Sequence, residues 1–208
     1  MVQNGFHFNA SRCTGCKTCV MACRDYHDLG PELAFRQVYE MCGGSWVSDA
    51  EAWRQDCFAY YLSMACNHCS YPVCVEVCPT GAMGKDEAGM VAVDSNRCIG
   101  CGYCAMSCPY HAPKVDRKAG CSAKCDGCRE RVAAGMKPVC VEACPLRALD
   151  FGAIEKLREQ VGSSYSIPPM PDNRETEPSL VIAPPACFIK DPERVSREAR
   201  VANMRELV

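Results

Sequence analysis

Sixteen of the chain's twenty cysteines fall into four groups of four. The first is Cys13, Cys16, Cys19 and Cys23; the second is Cys66, Cys69, Cys74 and Cys78, closed by Pro79. The third is Cys98, Cys101, Cys104 and Cys108, closed by Pro109; the fourth is Cys125, Cys128, Cys140 and Cys144, closed by Pro145. A C-x2-C-x2-C-x3-C run, ending in Pro in its bacterial form, is the ligand pattern of cubane iron–sulfur clusters. Sixteen thiolates, four to a cluster, give room for four [4Fe–4S] clusters. A chain of clusters within 208 residues is an electron wire.

Other uses of so many cysteines fit less well. A disulfide scaffold belongs to secreted chains, and Met1 to Gly5 carry neither a basic region nor an apolar stretch of a secretory signal. Structural zinc sites join two well-separated C-x2-C pairs, whereas Cys13 to Cys19 and Cys98 to Cys104 each crowd three cysteines into seven residues. The 48% hydrophobic content includes the cysteines, so the apolar supply is thin and metal centres are expected to staple the fold. A net charge of −2 points to no nucleic-acid partner and no polybasic membrane patch. Phe58 to Ala65 and Leu180 to Phe188 are the best apolar runs, far short of the roughly 20 residues a membrane span needs.

The runs repeat. Arg12 to Cys23 aligns without gaps on Arg97 to Cys108, matching the Arg, a Gly, a Met and all four Cys. Cys74 to Met83 parallels Cys140 to Leu149. Two half-motifs, each used twice, mark duplicated ferredoxin units. In a two-cluster ferredoxin the fourth Cys of a run ligates the other cluster, so runs must pair. Runs one with two and three with four is one pairing. The other nests runs two and three inside a unit made by runs one and four. The short gap from Cys78 to Cys98 and the long, aromatic gap from Cys23 to Cys66 favour the nested form.

The expected fold class is α+β, two nested ferredoxin-like units with short strands, short helices and long loops. Gly15, Gly100, Gly102 and Gly127 let backbone pass close to sulfide. Helical turns are expected at Val20 to Leu29 and Ala105 to Ser107, and a helix over Lys124 to Ala134 ended by Gly135. Strands are expected at Gly5 to Phe8, Phe58 to Met64 and Met90 to Val93. Ile154, Leu157 and Val161 mark a short amphipathic helix. The Pro- and Ser-rich stretch from Ser163 to Pro178 reads as an extended loop in solvent or on a partner.

Further stretches carry a resemblance: Arg12 to Cys19, Asp28 to Glu32, Gly43-Gly44 with Trp46, Phe58 to Ser63, Cys66-Asn67-His68-Cys69, Lys124 to Cys128 and Cys144 to Leu149. With the runs, these make Gly5 to about Gly152 resemble the iron–sulfur electron-transfer subunit of the dimethyl sulfoxide reductase family of molybdopterin oxidoreductases. Beyond Gly152 the likeness is loose. The resemblance implies the nested arrangement and four ligand sets. Cluster one takes Cys13, Cys16, Cys19 and Cys144; cluster two takes Cys23, Cys125, Cys128 and Cys140. Cluster three takes Cys66, Cys69, Cys74 and Cys108; cluster four takes Cys78, Cys98, Cys101 and Cys104. Some nitrate reductase relatives hold a [3Fe–4S] cluster with Trp at the position matching Cys101; Cys here implies [4Fe–4S].

The resemblance also implies a non-catalytic subunit. It would relay electrons from a quinol-oxidising membrane anchor to a molybdopterin catalytic subunit that reduces dimethyl sulfoxide or related S- and N-oxides in anaerobic respiration. The alternative is the same role in a thiosulfate, polysulfide or formate enzyme. The protein would be peripheral on the cytoplasmic membrane through a partner, on either side. The outer unit is expected at 1–57 with 118–152, the inner unit at 58–117, and a helix with an extended partner-binding tail at 153–208. No G-x-G-x-x-G follows a strand, which argues against an enzyme with its own nicotinamide site.

The remaining chemistry-bearing residues read as structural. Cys121 precedes a complete run, and Cys42, Cys57 and Cys187 have no partner spacing. His68 lies between ligands of a run already full, which gives it a packing or hydrogen-bonding role. His7, His27 and His111 show no constellation. Lys114, Arg117, Lys118 and Lys124 read as a solvated basic face, with an offset of cluster charge as the other reading. For Trp46, Trp53, Tyr60 and Tyr61, core and partner-facing surface fit equally.

Overall fold

The computed structural model describes residues 2–49, 52–161, 166–171 and 175–207. Its organising element is the strand Asn4–Asn9, in which Phe6 and Phe8 are buried. This strand is central in a three-stranded sheet. Leu149–Ala153 pairs with it antiparallel and Leu180–Ala183 pairs parallel, with Phe8 opposite both Leu149 and Ile182. A second sheet sets Gln37–Gly43 between Phe58–Met64 and Arg200–Val201, all antiparallel. Met41, Tyr60 and Leu62 from this sheet join Phe6, Phe8, Leu149 and Ile182 in one core, together with Cys19, Cys140 and Cys144. A smaller core holds Met83 and Val91 with Cys74 and Cys104. The thiols thus belong to the interior that the strands build.

One pairing pattern occurs twice. Met83–Lys85, which follows the second run, pairs antiparallel with Val91–Val93, which precedes the third. Leu149–Ala153, which follows the fourth run, pairs in the same sense with Asn4–Asn9, which precedes the first. Met83 stands opposite Val93, and Leu149 opposite Phe8. Each of these four residues lies five positions from the nearest run cysteine: Cys78, Cys98, Cys144 and Cys13. The registers of the two strand pairs are therefore the same relative to the cysteines.

Local chemistry sets the turns around the runs. Lys17 and Gly102, equivalent in the repeat, adopt left-handed backbone just before the helices Thr18–Tyr26 and Tyr103–Ser107. The Val-Cys-Val-Glu turns Val73–Glu76 and Val139–Glu142 both start after a proline, Pro72 and Pro138. Proline fixes φ and lacks an N–H that a first turn would leave unpaired. Gly15 has φ of 71°, and a Cβ there would collide with the ring of Tyr61. Only glycine meets both conditions.

Phe58–Met64 has the expected strand bounds, and Asn4–Asn9, Val91–Val93, Thr18–Tyr26 and Ile154–Val161 overlap their expected elements. The helix expected over Lys124 to Ala134 is shorter, at Arg129–Ala133. Gly127 and Cys128 have φ of 75° and 52°, so the ligand loop cannot be helical. Part of the loop expected at Ser163 to Pro178 lies outside the described residues. Where described, it packs on this chain rather than only in solvent or on a partner: Ile167 is fully buried and the Thr176 carbonyl accepts from the Tyr71 amide. Beyond Gly152, the chain also contributes two strands and the helices Ala186–Lys190 and Pro192–Glu198, whose Phe188 and Val195 enter the main core.

Ile182 is fully buried and Ile189 is 67% exposed on the same terminal segment. Ile182→Ala should therefore destabilise the fold by about 2–5 kcal/mol, while Ile189→Ala should change stability by less than about 0.5 kcal/mol. Anaerobic thermal unfolding of both variants measures the difference.

Candidate iron–sulfur sites

Two enclosed cavities are lined by cysteines from more than one run. Cys13, Cys16, Cys19 and Cys144 line one, with Phe8, Val38 and Ser63 on its wall. Cys66, Cys69, Cys74 and Cys108 line the other. Neither includes the fourth cysteine of its own run, Cys23 or Cys78.

The other run cysteines gather in two further places. Cys23, Cys125, Cys128 and Cys140 are all buried, and each of Cys23 and Cys128 is close enough to Cys140 for their charges to repel. Cys98 and Cys104 meet at Ser122, whose amide donates to Cys98 Sγ at 3.2 Å and whose Oγ lies 3.3 Å from Cys104 Sγ. Cys78 packs against the small core that contains Cys104, and its sulfur accepts from the Met83 amide at 3.4 Å. Similar N–H···S bonds reach Cys144 from Ala148 and Cys125 from Gly127.

Burial pushes the pKa of the Cys13, Cys69 and Cys128 thiols up to about 11 and those of Cys23 and Cys74 up to about 12. Neighbouring thiolates add to each shift. Cys16 goes the other way, held down first by the Thr18 hydroxyl. At Cys78 burial is the largest single influence, but amide and Thr80 hydrogen bonds together outweigh it and lower the pKa. Crowded, buried thiols of this kind are poor anions alone and good ligands for iron, whose charge stabilises the thiolate. The donor set and its burial fit a thiolate-held cluster.

The structure gives several side chains their partners, and His68 has the hydrogen-bonding role expected of it. His68 is fully buried, and burial pushes its pKa well down, with Lys124 and Arg36 adding to the shift. Its Nδ1 accepts from the Val91 amide at 2.9 Å, leaving the ring proton on Nε2, 3.8 Å from Cys125 Sγ. A residue between two second-run cysteines thus touches a fourth-run cysteine. Lys124 is buried, not on a solvated face: its ammonium donates to the carbonyls of Val91 and Cys125. Arg117 and Lys118 are exposed. His27, which the sequence left without a constellation, has Nε2 3.6 Å from Cys128 Sγ and lies beside Asp126. No spacing rule could have found it, because the contact joins two distant runs. Tyr60 is core, while Trp46 and Trp53 are 64% and 69% exposed on one hairpin. Cys42 and Cys57 are exposed; Cys121 and Cys187 are half-buried.

Ferredoxin-type thiol sites in an α+β frame define an iron–sulfur protein of the electron-transfer class. A 4Fe-4S dicluster domain matches residues 57–154, and a 4Fe-4S binding domain matches residues 6–25. The sequence is 55% identical to the B subunit of the anaerobic dimethyl sulfoxide reductase of Escherichia coli (strain K12), over 88% of this chain and 90% of that one. The corresponding B subunit of Haemophilus influenzae is equally similar over 185 residues. The thiosulfate reductase electron transfer subunit PhsB of Salmonella typhi is 40% identical over 70% of this chain and 73% of its own. The protein belongs to the iron–sulfur subunit family of the dimethyl sulfoxide reductases; it binds [4Fe–4S] clusters and is a non-catalytic electron-transfer subunit. No helix among the described residues is long and apolar enough to cross a membrane.

The thiol pKa values fix the sign of a pH effect. Without iron, thiols with pKa near 11 or 12 are protonated at neutral pH, and each must lose its proton to become a ligand. Cluster loading should therefore release protons, and should strengthen as pH rises toward those values. Anaerobic reconstitution at constant pH, with the base uptake recorded, should show that release; loading without it would contradict the assignment of buried thiols as ligands.

Proposed function

We propose that the chain carries four [4Fe–4S] clusters in a line and forms the electron conduit between a quinol-oxidising membrane anchor and a molybdopterin catalytic subunit. The observation that carries this reading is the gradient of thiol exposure. Site one (Cys13, Cys16, Cys19, Cys144) and site four (Cys78, Cys98, Cys101, Cys104) each have one exposed thiol, Cys16 and Cys101. Site two (Cys23, Cys125, Cys128, Cys140) and site three (Cys66, Cys69, Cys74, Cys108) have none. A conduit needs this pattern: access at both ends and an insulated middle. An enzyme with its own substrate needs a reaction pocket instead.

Neighbour relations support the order one, two, three, four. Cys19 and Cys140 repel across the first gap, and Cys125 and Cys66 across the second. Cys74 and Cys104 share the small core across the third. When bound, a cluster supplies a one-electron redox centre, while the protein sets its position and electrostatic surroundings. The chain's own residues provide the thiolates, the N–H donors to sulfur and the buried walls that exclude water.

The two equivalent strand registers support the nested arrangement, with the outer unit built on runs one and four and the inner unit on runs two and three. Beyond Gly152, Leu180–Ala183 and Arg200–Val201 each add a strand to a three-stranded sheet. The names of the relatives, a reductase B subunit and an electron transfer subunit, support partnership with a catalytic subunit. The 55% against 40% identity favours dimethyl sulfoxide or a related S- or N-oxide as terminal acceptor over thiosulfate. Association with the membrane would come through the anchor, on either side.

Two measurements test the proposal. The anaerobically purified protein should contain iron and acid-labile sulfide at sixteen each, four clusters of four; a stable value near twelve would refute the count. Cys23→Ser should perturb the cluster held with Cys125, Cys128 and Cys140 and leave that of Cys13, Cys16 and Cys19 comparatively intact. Resolved paramagnetic spectra report which centre changes, and loss of the Cys13-side centre alone would sink the crossed ligand sets.

A further inference from the structure

Arg36 is the least explained charge in the molecule. It is 3% exposed, its guanidinium lies over the Phe6 ring at 5.3 Å, and its Nε is buried without a hydrogen-bond partner. No carboxylate pairs with it among the described residues. Its hydrogen bonds go to Ser63: Nη1 donates to the Ser63 carbonyl at 3.2 Å and to Ser63 Oγ at 3.1 Å. Ser63 Oγ in turn lies 3.3 Å from Cys19 Sγ. A hydroxyl that accepts from the guanidinium has its own proton free for the sulfur.

A buried guanidinium without an anion costs several kcal/mol, so a counter-charge must exist. The ionisable groups that raise its pKa against the opposing pull of burial are the thiols of Cys140, Cys19, Cys125 and Cys23. Cys19 belongs to site one and the other three to site two in the proposed assignment. Both Cys19 and Cys23 feel the cation, which opposes the upward push of burial on their thiols. Arginine stays charged at all working pH values, so the cation between the two sites is fixed.

We propose that Arg36, acting on site one through the Ser63 hydroxyl and on site two through space, is a positioning residue that raises the reduction potentials of the first two clusters together. The inference rests on the four-site reading above. The physics is Coulombic: reduction adds one electron and no proton, the added negative charge is stabilised by a nearby cation, and low dielectric strengthens the effect. The guanidinium is unchanged before and after.

The experiment is an anaerobic potentiometric titration of the full-length protein, followed by paramagnetic resonance, with iron measured on each sample. Iron in the unsubstituted protein is read first; a value other than four clusters overturns the four-site reading independently of Arg36. In Arg36→Met with full iron, two centres should become at least tenfold harder to reduce, a downward shift of about 59 mV for one electron, and two should stay in place. Arg36→Lys, which keeps the charge, should recover most of the shift. Unmoved potentials, or an equal shift of all four, would overturn the proposal. If Arg36→Met is iron-poor, Ser63→Ala decides: it keeps the cation and removes the hydroxyl, and should lower one centre only. A Ser63→Ala protein with full iron and four unmoved centres would overturn it equally.

Discussion

The Cys144 thiol stands in the same cavity as Cys13, Cys16 and Cys19, and the rest of the outer half is arranged to permit that crossing. Bringing the two ends of so long a loop together costs conformational entropy. The strand pair Asn4–Asn9 with Leu149–Ala153 holds the same two segments together and so shares this cost with ligation. Its register sets Phe8 opposite Leu149, five residues from a cysteine on each side. The inner half repeats the device on a smaller scale with Met83 opposite Val93. Strand pairing and metal ligation therefore specify the same contact twice, and agreement between levels is what lets a lean core fold to one state.

What could be read from the sequence was what chemistry imposes locally. Ligands to iron must be cysteine at set spacings, so the runs and their repetition were plain. Phe58–Met64 was plain because aromatic residues cluster there with no Gly or Pro to break them. The failures have a common physical cause, which is non-local contact. Lys124 follows a run of basic residues, and only the fold shows that two carbonyls bury its ammonium. His27 gained its partner from a loop far along the chain. Leu180–Ala183 is short and followed by two prolines, yet becomes a buried strand because the edge of Asn4–Asn9 is open to a parallel partner. The overlong helix at Lys124 to Ala134 failed for a local reason: positive φ at Cys128, a residue type that carries no such signal.

Insulation and ligand chemistry are coupled through burial. The walls that keep water from sites two and three also raise the pKa of their thiols, so the empty protein holds protons where the loaded protein holds iron. The sites would accumulate negative charge in a medium that tolerates it poorly. The protein offsets this with amides aimed at sulfur and with cations, Arg36 and Lys124, placed in the interior instead of on the surface. Each is a cation whose hydrogen bonds go to neutral oxygens, so its charge is left for the sulfurs.

The ends of the line follow a different logic, and the repeat shows it. Cys16 and Cys101 occupy equivalent positions, and both are exposed; so are Met21 and Met106, at 64% and 72%. The same half-motif thus presents a sulfur ligand and a flexible apolar side chain to the outside in each unit. Its partner half-motif contributes mainly buried thiols, such as Cys74, Cys140 and Cys144. In the proposed arrangement, duplication followed by nesting turns that asymmetry of one unit into polarity of the whole. In the proposed ligand sets, half-motifs with an exposed ligand supply the two ends, and Cys66, Cys69, Cys74, Cys125, Cys128 and Cys140 line the middle, where His68 meets Cys125.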